Sequence, residues 1–158
     1  MATPAMDDLA ERSADRSVGS IFLYTREAHP GENYRHHTTM DDKRANARAF
    51  QSEFNAKRKI YLDTIEGDAH RAYGMLPNMT WIIGRGGIIH YKAAWTDAAH
   101  VEKALDYVID SMARRKDEGL TPFYSELQCW RENDREGFRS GLERNGPQAL
   151  DDFFRKRD

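Results

Sequence analysis

The sequence predicts an α/β fold, and three observations carry the prediction. Apolar strand-like runs at 18–24 and 60–62 are separated by a helical pattern over 40–55. Two further short runs flank Arg85-Gly86-Gly87 as a β-hairpin. One long stripe, Val101, Ala104, Leu105, Val108, Ile109 and Met112, recurs at the i, i+3, i+4 spacing of a buried helix face.

Taken in order, Leu9, Ala10 and Ala14 among charged neighbours predict a short helix over 5–15, and Val18 to Tyr24 reads as a buried strand. Residues 25–38 carry Pro30, Gly31 and Asn33 and little apolar content, so they form a loop long enough to be a candidate functional segment. Thr39 with Asp42 three positions on predicts a capping-box start, and Met40, Ala47, Phe50 and Phe54 return on one face of the helix over 40–55. Ile60 to Leu62, extended to 59–63, reads as a strand and 68–73 as a helical turn. The hairpin strands fall at 80–84 and 88–93 and the long helix at 97–116, with Val101, Leu105, Val108 and Met112 expected to pack across a single sheet. Parallel pairing is expected where helices intervene and antiparallel pairing at the hairpin. Residues 1–118 thus read as one domain, and 119–158 as a helical appendage broken at Gly119, Asn133 and Gly146-Pro147, its apolar positions Phe138, Leu142, Leu150, Phe153 and Phe154 packing on the domain or on a partner.

The chain has 158 residues, of which 39% are hydrophobic, enough for a core of ordinary size. Its 24 basic side chains stand against 26 acidic ones, so no overall positive field exists to hold a nucleic-acid backbone. No apolar run approaches the ~20 residues a membrane span needs. Residues 1–8 have neither a basic nor an apolar region of a secretory signal, so the cytoplasm is the expected compartment. The single cysteine, Cys129, excludes an intramolecular disulfide and a Cys-X-X-Cys pair; beside Trp130 it reads as inert packing.

The densest polar constellation runs from Glu27 to His37, directly after the first strand. Strand ends are where sites open in α/β sheets. In an extended conformation Glu27 and His29 project to the same side, so a carboxylate can orient an imidazole or relay its proton; the alternative is a solvated loop that caps the next helix. His29, His36 and His37 with Glu27 or Glu32 hold metal-ligand types, but adjacent His36 and His37 diverge, and no metal or other cofactor is expected. His70, His90 and His100 read as structural or solvent-exposed. Gly84-Arg85-Gly86-Gly87 joins two strands and leads into no helix N-terminus, so it is not a phosphate loop.

Four blocks in order, Phe22-Leu23-Tyr24-Thr25-Arg26-Glu27-Ala28-His29-Pro30-Gly31, His37-Thr38-Thr39-Met40-Asp41-Asp42-Lys43, Asp63-Thr64 through His70 to Asn78, and the hairpin to Tyr91-Lys92, resemble the iodothyronine deiodinase family and its bacterial redoxin-like relatives over about residues 7–110. The resemblance implies a thioredoxin-like sheet with flanking helices and thiol-dependent reduction of a small-molecule substrate by an external thiol. It implies that Glu27, His29 and His37 supply protons and bind polar groups of the substrate, with Arg26, Tyr34 and Pro77 as candidate substrate-binding residues. The family's first strand and nucleophile turn have no counterpart here, and the only thiol lies in the appendage. The expectation is that a selenocysteine codon upstream of Met1 was read as a stop, so that these residues alone show no thiol-dependent reductase activity. A sheet lacking that strand is expected to expose an edge through which copies of the chain associate. A module that binds a ligand or partner in the same cleft without chemistry is the alternative.

Overall fold

A computed structural model describes residues 2–118 and 134–155. The chain is mixed α/β, and its contacts divide it into two compact units, one of residues 3–77 with the C-terminal helices, the other beginning at Asn78.

In the first unit, helix α1 (Thr3–Arg12) is followed by a single 3₁₀ turn, Ala14–Arg16, which ends where Ser17 takes a left-handed φ of 60°. Asp7 fastens α1: its buried carboxylate accepts from the Lys57 amide at 2.8 Å and from Arg58 Nε at 2.5 Å. Burial alone would raise this carboxyl, but Arg58 and the Lys57 amide bring it below its usual value. Strand β1 (Ile21–Tyr24), helix α2 (Met40–Glu53) and strand β2 (Lys59–Leu62) follow, and β1 pairs with β2 in parallel, Ile21 opposite Lys59 and Tyr24 opposite Leu62. The expected capping box is present, Thr39 bonding the Asp42 amide while the Asp42 carboxylate returns to Thr39. Phe22, Phe50 and Phe54 stack in sequence at 4.9 and 5.0 Å and fix α2 against β1. Helix α3 (Asp68–Tyr73) falls where the helical turn was expected.

Residues 134–155 form two helices, α5 (Arg135–Asn145) and α6 (Pro147–Phe154), meeting at the predicted Gly146-Pro147 break. They belong to the first unit: Leu142 and Ala149 are almost completely buried. The expected breaks at Gly119 and Asn133 lie outside the described residues, as does Cys129.

In the second unit, β3 (Thr80–Ile83) pairs antiparallel with β4 (Ile89–Ala93), with a register slip after Ile82. Gly86 and Gly87 occupy positive φ between them, a conformation that a β-carbon would strain. Helix α4 (Ala98–Glu118) buries Val101, Ala104, Leu105 and Val108 as predicted. Met112, however, is 39% exposed, and Ser111 takes the next buried position instead. Both lie about one turn beyond Val108, and at 3.6 residues per turn either satisfies the stripe.

The single four-stranded sheet expected from the sequence is corrected to two separate two-stranded sheets, β1-β2 and β3-β4. Alternation and apolar runs specify which residues are strands, but they carry no signal for which strand edges meet.

Candidate functional site

The two parallel strands end side by side, and the polar residues of the first unit gather around that end. Tyr24, the last residue of β1, is buried, and its hydroxyl donates to Glu27 Oε1. Burial pushes the phenol above its usual value, and the Glu27 carboxylate pushes it further by favouring the protonated form. The Tyr24 ring also neighbours that of His37, centroid to centroid 6.2 Å, so Tyr24 is the common neighbour of two of the expected site residues. His37 is buried, and its Nδ1 has no hydrogen-bond partner. Burial lowers its basicity, and the neighbouring positive charge of Lys43 lowers it further, against the opposing pull of Asp42 and the Thr25 backbone. His37 is thereby held as a neutral imidazole with a vacant nitrogen.

Beneath it, Lys43 on α2 is completely buried and donates through Nζ to the Thr64 carbonyl at 2.8 Å. Burial lowers its basicity, partly offset by Asp63 and Glu66. Asp63, the residue after β2, accepts from the amides of Thr64, Ala69 and His70 at 2.8, 2.9 and 2.8 Å. Burial alone would raise Asp63, but these amides and Lys43 hold it below its usual value. The amides of Ala69 and His70 are first-turn donors of α3, so the carboxylate caps the helix from outside it. The His70 ring is buried with Nε2 unpartnered. Tyr24, Lys43, Asp63 and His70 were not singled out as site residues from the sequence. The available signal was position: Tyr24 and Asp63 flank the ends of the two strands.

His29 has different neighbours. Its ring meets Phe138 of α5 and Phe153 of α6 edge to face, at 5.6 and 5.5 Å, and its carbonyl accepts from Asn145 Nδ2 at 2.6 Å. Burial lowers its basicity. The remainder of the loop is tied to the same two helices. The Asn33 amide donates to the Asn145 carbonyl and Asn33 Nδ2 to the Arg144 carbonyl, at 3.1 and 3.0 Å, while the Glu32 carboxylate accepts from the Gln148 amide.

Tyr34 donates to Glu53 at 2.8 Å and lies under the Arg144 guanidinium, 3.8 Å from the ring centroid. Burial and Glu53 raise the Tyr34 phenol, against an opposing effect of Arg144. Together with Asn33, Ala45, Asn46 and Ala49 these residues line an open groove of about 630 Å³. Arg26 and Pro77 are exposed. Of the six expected site residues, then, Glu27 and His37 share Tyr24, His29 lies under α5–α6, Tyr34 lies on the groove, and Arg26 and Pro77 face solvent.

Among the described residues no cluster of three or more His, Cys, Asp or Glu side chains is arranged to hold a metal ion, and no helix is long and apolar enough to cross a membrane. What the strand end offers chemically is proton handling: a phenol bonded to a carboxylate, beside a neutral imidazole with a free nitrogen. No known protein family, curated protein or solved structure matches this chain.

Proposed function

We propose that this chain is a thioredoxin-like domain of deiodinase or redoxin type, and that its strand end is the proton-handling and substrate-binding wall of a thiol-dependent reductase. One observation carries the reading: Tyr24 donates to the Glu27 carboxylate while its ring neighbours the buried imidazole of His37, at the C-terminal end of a parallel strand pair. The element order also supports it, with a parallel pair bridged by α2 followed by an antiparallel hairpin and a long helix. For an aryl iodide the net reaction is ArI + 2 RSH → ArH + HI + RSSR. The external thiol supplies both electrons, the aryl carbon gains a proton, and iodide leaves. His37 takes a proton from the thiol or a phenolic substrate once substrate entry opens its buried Nδ1, and returns it to the carbon, while Tyr24, whose raised phenol keeps its own proton, positions Glu27.

A second reading is a binding module that uses the same cleft without chemistry. It is favoured by the sequence, whose single cysteine, Cys129, lies more than 90 positions from the Glu27–His37 segment.

The two readings separate in one experiment. The chain, alone and in a version extended ahead of Met1 by a strand and a cysteine-bearing turn, is titrated with 4-iodophenol, followed by the NMR shifts of Tyr24 and His37, and then incubated with dithiothreitol while iodide released by the extended version is measured. Binding with iodide release that falls in Tyr24→Phe supports the reductase. Binding without release supports the module. Absence of binding overturns both.

A further inference from the structure

We propose that α5–α6 is an autoinhibitory strap, which packs His29 away from the Tyr24–Glu27–His37 strand end and so withholds one of its proton-handling groups. The inference rests on that functional reading, because it matters only if His29 must join the strand end to bind substrate.

The cover is specific. Phe138 and Phe153 meet the His29 ring edge to face, so the imidazole of a candidate proton carrier is packed between two aromatic side chains of the strap. Phe138 and Phe153 also pack on one another at 4.7 Å, which makes them a single lid surface.

The seam that holds the lid is built from both sides. Asn145, itself buried, donates to the His29 carbonyl and through its own carbonyl accepts from the Asn33 amide. Glu32 accepts from the Gln148 amide in the first turn of α6. At Gly31 the backbones approach so closely that a β-carbon would lie inside the contact radius of the Asn145 carbonyl oxygen. Across the seam, a β-carbon on Gly146 would collide with the Glu32 carboxylate, and Gly146 carries a φ of +118° that only glycine adopts freely. A glycine on each side is what lets the two backbones lie in direct contact.

The hold combines burial with edge contacts: Leu142 and Ala149 are almost completely buried and Arg144 pairs with Glu53 at 2.6 Å, while Phe153 remains 48% exposed. The strap adds no strand to the β1–β2 pair, so it can open without breaking that pairing.

Gly31→Ala tests this without removing any anchoring side chain, because the added methyl has nowhere to go but into the Asn145 carbonyl. Two quantities are read on the full chain, with circular dichroism confirming the fold. The first is the rate at which diethyl pyrocarbonate modifies His29, measured by mass spectrometry against the exposed His36 as internal reference. The second is the affinity for 4-iodophenol. Lifting a strap that is closed nine-tenths of the time raises apparent affinity about tenfold, and His29 modification accelerates by about the same factor. If Gly31→Ala does not fold, Phe153→Ala, which alters a half-exposed side chain of the strap alone, should give the same direction for both readouts. Faster modification with unchanged 4-iodophenol affinity overturns the strap as a gate and leaves the functional reading in place. Unchanged modification in a folded variant overturns it as a cover. Absence of binding in every variant removes the functional reading, and the autoinhibition falls with it.

Discussion

Two connections leave the same end of the same strand pair, and they are held in opposite ways. After β2 the chain turns within a few residues: the Asp63 carboxylate gathers the amides of Thr64, Ala69 and His70 and starts α3. After β1 the chain runs through residues 25–38 with no helix or strand of its own; its ends are tied nearby, through Tyr24 and Glu53, but its middle, His29 to Asn33, is held by Arg144, Asn145 and Gln148, more than 100 positions away. The first connection is self-contained and the second is borrowed. A loop stabilised from a distance can be released by whatever displaces its distant partner, whereas a turn closed by its own carboxylate opens only when the surrounding structure does.

The strongest way to break this contrast is Asp63→Ala. It strands the amides of Thr64, Ala69 and His70 and removes the negative charge that acts most strongly on the buried Lys43, so it should cost about 3–5 kcal/mol of global stability. Urea unfolding checks this, and a midpoint within error of wild type would show that the turn is held from elsewhere. Asn145→Ala should cost less, about 1–3 kcal/mol, and the loss should be local. Hydrogen exchange should quicken at the Asn33 amide while the amides of Ala69 and His70 keep their protection.

The mildest perturbation is acid. His29 and His37 both have lowered basicity in the fold, so the unfolded or undocked chain takes up protons first, near the ordinary value of about 6.5, and stability falls as pH drops below that. Asp63 is lowered as a carboxyl, so its contribution is complete above about 4 and is lost only as pH falls through its depressed value. Between those limits the loop after β1 should loosen while the Asp63 turn holds. Amide exchange measured at several pH values would show the two connections separating, and simultaneous loosening of both would contradict the contrast.

The same contrast explains what was legible in the sequence. The Thr39–Asp42 capping box, the hairpin around Gly86-Gly87, the α3 turn and the buried face of α4 as far as Val108 are set by residues within one or two turns of each other, and each lies where the pattern places it. The loop stands out as a candidate site because polar residues crowd after a strand. Nothing in that crowding indicates that His29 will be packed by Phe138 and Phe153, since contacts across more than 100 residues leave no periodic trace. In the sequence Tyr24 reads only as a buried strand residue, because its apolar ring fits that role and its hydroxyl becomes informative only with Glu27 beside it. Lys43 was illegible for a related reason: a lysine on a charged helix reads as solvated until the fold is found to bury it completely.

Among the described residues β1 has β2 on one flank and no strand on the other, and residues 18–25 contain no charged side chain and no proline. Nature usually guards such a border with lysine, proline or a bulge. Here the gatekeepers are missing, and Ile21 at the strand's start is 58% exposed. Storage behaviour should therefore hinge on these few residues: concentrated solutions are expected to turn cloudy by strand addition between molecules, and Ile21→Lys to keep them clear.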